Sequence, residues 1–401
     1  MRFSRLLHFF LIIMFVAGCG GGGSGNSGSS SVGSAPTPPA GNNVVAITVN
    51  GSLCSDNSYS NKPCVSVTIC TPGTSTCQTI DDILLDTGDS GLRLFKQNIS
   101  VSLTQVTSNG NPVAECIQYA DGSSLWGPIE LAGIVLGNET AVQVPIQVID
   151  STFAGAPAVC SDAYQTPADA GYNGSLGLSF FAQDCGSSCA STAANGFYYD
   201  CSGETCYGTT VPTSNQVQNP VALLPVDNNG VIVQLPSIPA SGATSASGYL
   251  VLGIGTQSNN VPSAVTTYSA DAVSGNFITI FSGSTYTGFI DTGSNALFFP
   301  PPSNSTLPDC AAPDSDWYCP SVTLSLTATN EGATDVPSGV VQFQIGNFDA
   351  LIASSNNVFS DIGGNSVGAF DWGLPFHFGR NVYIGIEGTA STLGSGPYWA
   401  Y

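Results

Sequence analysis

Apolar residues alternate with polar or small ones in short runs along most of this chain, with a period of two. Val65-Ser66-Val67-Thr68-Ile69 is the plainest case. Val142, Val144, Ile146 and Val148 repeat it, as do Val322-Thr323-Leu324-Ser325-Leu326 and Phe343-Gln344-Ile345. Tyr249-Leu250-Val251-Leu252 and Phe277-Ile278-Thr279-Ile280 follow it more loosely. A period of two turns one face of an extended strand inward, so each run predicts a strand. No stretch sustains a 3.6-residue apolar period with capping residues. The pattern therefore predicts an all-β chain with only short helices. Residues 181–220, rich in Cys, Ser and Gly, read as a loop region pinned by disulfides.

The N-terminus breaks the pattern. Arg2 and Arg5 precede an almost wholly apolar run over residues 6–15, followed by Val16-Ala17-Gly18-Cys19. The run is short for a bilayer span and matches the core of a signal peptide. The four residues ending in Cys19 resemble a bacterial lipobox. That resemblance implies a signal peptide over residues 1–18 and lipidation of Cys19. Residues 19–43 are mostly Gly, Ser, Pro and Asn with no charge, which predicts a flexible tether. A triacylated Cys19 would hold the protein on a membrane surface, outside the cytoplasm of a bacterial cell envelope. The folded part is then 44–401.

Charge removes several function classes. Lys and Arg number 6 against 27 Asp and Glu, a net −21. Without clustered cations, neither nucleic acid nor an anionic membrane face has a binding patch here. Histidine is limited to His8, in the segment expected to be removed, and His377. One remaining His argues against Ser–His or Cys–His catalysis and a multi-His metal site, and His377 reads as structural. No metal or cofactor is expected. Arg93 and Arg380, rare cations in an acidic chain, are expected to pair with carboxylates. Beyond Cys19 stand twelve cysteines, an even number in a chain that reads as exported, so up to six disulfides are expected. Cys185/Cys189, Cys201/Cys206 and Cys310/Cys319 are close enough to close small loops; spacing alone does not settle the pairing.

One internal repeat carries the candidate chemistry. Leu84-Leu85-Asp86-Thr87-Gly88-Asp89-Ser90-Gly91-Leu92 recurs 205 residues later as Phe289-Ile290-Asp291-Thr292-Gly293-Ser294-Asn295-Ala296-Leu297. Each copy has two apolar residues, then Asp-Thr-Gly, then Leu six residues after the Asp. A single Asp-Thr-Gly suits any turn. Two with matched flanks, one in each half of a β-rich chain, resemble the pepsin-like aspartic proteases.

That resemblance implies an all-β, bilobal fold of two related β-barrel-like lobes, 44–258 and 259–401, with a cleft between them. It implies that Asp86 and Asp291 form a catalytic dyad, that Thr87 and Thr292 cross-bond the two loops, and that Gly88 and Gly293 allow their close approach. Ser294 would donate to its catalytic carboxylate. Asp89 stands where relatives carry a comparable donor, and an ionised Asp cannot serve. The missing loop tryptophan is another departure, with Trp126 more naturally a core residue. Gln118-Tyr119-Ala120-Asp121-Gly122-Ser123 falls where the family has its flap, with Tyr119 as the closing tyrosine and Gly122 supplying a positive φ. Asn173-Gly174-Ser175-Leu176-Gly177-Leu178 and Asp371-Trp372-Gly373-Leu374-Pro375-Phe376 stand where each lobe supports its Asp loop. Residues 20–61 contain no Lys or Arg, so no basic pro-segment is expected.

The stretches Pro72–Asp81 and Phe370–Phe376 also look like a bacterial family of unknown function, number 3443 of such domains. The implied activity is hydrolysis of peptide bonds in an extended polypeptide by a membrane-anchored monomer. The other reading is a non-catalytic binding lipoprotein on the same scaffold.

Overall fold

A computed structural model describes residues 36–37, 39–302 and 307–401. Cys19, the signal segment and most of the tether lie outside them. The protein is all-β, with a closed six-stranded barrel and a half-barrel.

The barrel closes through a ring of pairings. Pro63–Cys70 pairs with Cys77–Asp86, which lies parallel to Gly174–Leu178. Gly174–Leu178 continues to Ser90–Phe95, and that strand runs parallel to Val142–Ile149. Val142–Ile149 pairs with Ser124–Val135, which returns to Pro63–Cys70. The alternation read over residues 65–69 and 142–148 fills the inside. Val65, Val67, Leu85, Leu92, Val144 and Ile146 are fully buried in one core.

The second half stays open, with strands in the order Ser338–Ile345, Leu324–Glu331, Phe277–Phe281, Ser284–Ile290, Ala369–Trp372, Leu297–Phe299 and Gly363–Asn365. Val322 lies outside its predicted strand and is exposed; the strand begins at Leu324. Large rings fill this open half. Phe299 stacks on Phe370 with centroids 4.9 Å apart, and Phe370 on Trp372 at 4.4 Å. Phe281 and Phe343 pack edge-on or tilted against Phe370. Burying rings of this size contributes about 1.5–3 kcal/mol each.

The barrel's sheet continues beyond the ring. Val44–Val49 sits between Pro63–Cys70 and Ala246–Leu252. From there the order continues through Gly230–Gln234, Asn381–Gly385 and Tyr398–Ala400 to Thr267–Ser269. Strands from both ends of the folded part thus share one sheet with the barrel.

The repeat seen in the sequence is also a topological repeat. In each half a late strand inserts between the strand entering Asp-Thr-Gly and the strand leaving it. Gly177 pairs with Asp86 on one side and Gly91 on the other. Trp372 pairs with Ile290 and with Leu297. Both Asp residues therefore emerge at the ends of strands locked from both sides.

The region 181–220 is more ordered than a loop. Tyr198–Ser202 and Thr205–Gly208 form a ribbon, and Tyr198–Ser202 pairs with Asn111–Gln118. Turn-rich flanks hide this ribbon from any periodicity. All twelve cysteines pair, as Cys54–Cys64, Cys70–Cys77, Cys116–Cys160, Cys185–Cys189, Cys201–Cys206 and Cys310–Cys319.

Thiol titration of denatured, unreduced protein should find none of these twelve free. Cys116–Cys160 spans 44 residues, so removing it by a Cys116→Ala/Cys160→Ala pair should cost about 2–5 kcal/mol in urea unfolding.

Candidate active site

Each Asp-Thr-Gly loop is held first by its own aspartate. The amides of Gly88 and Asp89 donate to Asp86 Oδ1 at 2.8 and 3.0 Å. In the second loop the Gly293 amide donates to Asp291 Oδ1 at 2.7 Å and Ser294 Oγ to Asp291 Oδ2 at 2.9 Å. A carboxylate capturing amides two and three residues on is the local reason these sequences turn here.

The two loops then hold each other. The Thr87 amide donates to Thr292 Oγ1 at 3.0 Å, and the Thr292 amide to Thr87 Oγ1 at 3.0 Å. The hydroxyls go on to carbonyls of the opposite half: Thr292 Oγ1 to Leu85 O at 2.7 Å and Thr87 Oγ1 to Ile290 O at 3.4 Å. Both threonines are fully buried. The Gly88 amide also reaches Asp291 Oδ1 at 3.2 Å, so one N–H lies against both aspartates. The carboxyls of Asp86 and Asp291 therefore lie side by side and raise the cost of each other's ionisation. The glycines are required by this closeness. A Cβ on Gly88 would stand 2.7 Å from Asp291 Cγ, and one on Gly293 would stand 2.8 Å from Asp86 Cγ.

Electrostatics separate the two carboxyls. Burial pushes Asp86 well above the ordinary carboxylate range, and the charges of Asp291 and Asp89 add to it. Asp86 receives two amide donors, whereas Asp291 receives two amides and a hydroxyl. Asp86 is therefore the carboxyl that burial and its acidic neighbours push towards its protonated form.

Asp89 does not enter this pair with its side chain. Its backbone amide supplies the donor to Asp86, and its carboxylate turns to Arg93 Nη1 at 2.7 Å and the Tyr119 hydroxyl at 3.1 Å. Burial pushes Asp89 up, and Arg93 opposes the shift. Every hydrogen bond recorded to this carboxylate comes from a donor, so the ionised form fits its surroundings. An acid is tolerable one residue past Asp-Thr-Gly because a buried guanidinium faces it.

Arg93 is fully buried and also binds Glu115 at 2.9 Å and Asp184 at 3.2 Å. One cation cannot balance three carboxylates. Burial and the neighbouring Glu115 push Asp184 well up. Glu115 Oε2 is buried without a hydrogen-bond donor among the described residues. Composition pointed to Arg93 pairing with an acid but gave no sign of Glu115 or Asp184, which lie 22 and 91 residues away.

Tyr119 closes the hairpin Asn111–Gln118/Ser124–Val135, with the Tyr119 amide on Ser123 O at 2.9 Å. Gly122 turns there with φ +84°. Trp126 is fully buried and donates to Phe153 O at 2.7 Å, a core role. His377 is fully buried and held neutral, pushed down to about 3 by burial and Arg380. Arg380 departs from expectation. It stacks on the Phe376 ring at 4.5 Å and donates to the Phe376 carbonyl at 2.5 Å, and no carboxylate among the described residues forms an ion pair with it. Its neighbours in the chain are aromatic, so a ring replaces the anion.

The residue the sequence reading overlooked is Asp371. It is buried on the inserted strand of the second half, and burial together with the Asp291 charge pushes it well above the ordinary range. The signal was available: an acid occupies a place where apolar residues are expected.

The buried acids set the pH dependence of stability. Asp86, Asp184 and Asp371 sit above the ordinary value of 3.8 in the folded state. The folded protein then keeps protons that the unfolded chain releases above about pH 4, so stability falls as pH rises from there. The melting temperature at roughly pH 5 should exceed that at pH 8. Thr87→Ala and Thr292→Ala should each lose about 1–3 kcal/mol, with non-additivity in the double variant, measured by chemical denaturation.

A family model described as "Protein of unknown function (DUF3443)" matches residues 39–401. No curated protein matches the chain.

Proposed function

The chain belongs to this family of proteins of unknown function, and we propose that it is an aspartic endopeptidase of pepsin-like architecture. The observation that carries this reading is the contact of the Asp86 and Asp291 carboxyls across two symmetry-matched loops. Such a contact costs free energy unless a proton is shared, and a shared proton is the working state of an acid–base pair.

The residues supply the whole reaction. A water between the carboxyls attacks the scissile carbonyl carbon and gives a proton to Asp291, while Asp86 passes its own proton to the carbonyl oxygen. The tetrahedral diol collapses as the C–N bond breaks: Asp291 gives its proton to the leaving nitrogen while Asp86 takes one from a diol hydroxyl, which restores the singly protonated pair. No metal or cofactor enters this chemistry. Substrate lies extended in the cleft beneath Tyr119, where strand-like pairing favours unfolded segments. The lipobox-like Val16-Ala17-Gly18-Cys19 supports a location on the outer side of a bacterial membrane, and the reading takes polypeptides as substrates and the protein as a monomer.

Wild-type protein should cleave unfolded peptides at acid pH, and Asp291→Asn should abolish cleavage while leaving the melting temperature unchanged or raised, because one of two crowded acids is gone. A statine-type transition-state mimic should raise the wild-type melting temperature. Cleavage retained in Asp291→Asn would place the chemistry elsewhere. An intact fold that neither cleaves nor binds the mimic would point to a binding protein on the same scaffold.

A further inference from the structure

The open sheet of the second half ends on an unguarded strand. Ser338–Ile345 pairs with Leu324–Glu331 on one side, and no strand among the described residues pairs with its other side. Exposed edges are usually blunted by a charge, a proline or a bulge. These eight residues hold neither charge nor proline, and their pairing runs unbroken from Ser338 to Ile345. Such an edge offers backbone donors and acceptors to another extended chain.

A cavity of about 220 Å³ lies against this strand, and residues 341–344 all line it. Side chains alternate between the two faces of a strand, so four consecutive lining residues mean that the cavity meets the strand edge-on. Trp372 and Phe376 supply apolar walls, and Arg380 supplies a charge. The volume is below the roughly 300 Å³ at which sites for drug-sized ligands begin, and it suits one large side chain.

Arg380 is the cation left over. Lys62, Arg93 and Lys96 each pair with an acid. Arg380 pairs with none among the described residues, in a chain that carries 27 acids. Its stack on the Phe376 ring and its Nη1 bond to the Phe376 carbonyl hold the guanidinium plane in place. Nε and Nη2 have no hydrogen-bond partner among the described residues. Those two groups form the side of a guanidinium that takes a carboxylate through two parallel bonds. With the plane already fixed, little rotamer freedom is lost when an anion docks.

We propose that this gap binds the C-terminal end of an extended peptide. The backbone adds as a strand to Ser338–Ile345, the last apolar side chain fills the cavity, and the terminal carboxylate lies side-on against Arg380. The strand edge favours a peptide over a free organic acid, and the guanidinium favours a chain end over a mid-chain segment. Neither Asp86 nor Asp291 lines the cavity, so the inference does not rest on the peptidase reading.

Calorimetric titration of the purified protein at neutral pH tests it. The probes are a short acetylated peptide of alternating threonine and valine ending in phenylalanine, the C-terminal amide of that peptide, and phenylpropanoate. The free acid should bind, and the amide should bind roughly tenfold more weakly. Arg380→Gln should bring the acid down to the level of the amide. Arg380→Lys keeps the charge and loses the paired donors, so it should fall between. Phenylpropanoate has no backbone to pair and should bind at least roughly tenfold more weakly than the peptide. A statine-type mimic, aimed at the dyad, should leave peptide binding unchanged. No binding of the acid, or equal binding of acid and amide, overturns the site. Both are read on wild type, so a variant that fails to fold leaves the test intact. Phenylpropanoate binding as tightly as the peptide would assign the cavity to free acids and overturn strand addition. Displacement by the mimic would move the peptide to the dyad and overturn the site.

Discussion

Two carboxyls meeting at the junction of two halves is the constraint the rest of the structure answers to. Left alone, their charges would drive the halves apart, and desolvation would oppose their burial. The structure meets this with directed donors rather than countercharge. Amides of Gly88, Asp89 and Gly293 and the hydroxyl of Ser294 converge on the pair. The reciprocal Thr87 and Thr292 bonds stop the loops from separating. Behind them, the inserted strands fix each loop from two sides. A cation near the pair would have been simpler electrostatically. It would also have ionised both acids and removed the proton that makes the pair useful.

The cation that is present stands one step back. Arg93 faces Asp89, Glu115 and Asp184 and leaves Asp86 and Asp291 to their amides. Asp371 has no cation facing it among the described residues, and burial pushes it towards its protonated form. The two halves are thus related by topology but neutralise their extra acids by different means.

Much of this was legible in the chain, for identifiable reasons. A period of two survives translation into strands because alternation is local, so the runs near 65–69, 142–148 and 277–280 lie in strands. The repeat around Asp86 and Asp291 was legible because turn geometry and close approach limit which residues fit. The Arg93 cluster was not, because Glu115 and Asp184 reach it through non-local pairing that leaves no spacing signature. Asp89 misled for a related reason. The donor expected from its side chain comes from its backbone, which no sequence displays. The ribbon Tyr198–Ser202/Thr205–Gly208 was hidden by turn residues on either side.

That ribbon changes what the hairpin above the site can do. A two-stranded hairpin can hinge at its base and lift like a lid. Here the strand Asn111–Gln118 has Tyr198–Ser202 on its free edge and a disulfide from Cys116 to Cys160. Hinging would break a ladder and strain a covalent bond, so compliance is confined to the turn at residues 119–123. On the peptidase reading proposed above, substrate would pass a soft lip rather than a lifting lid, so loose ends and slack loops would be admitted ahead of compact domains.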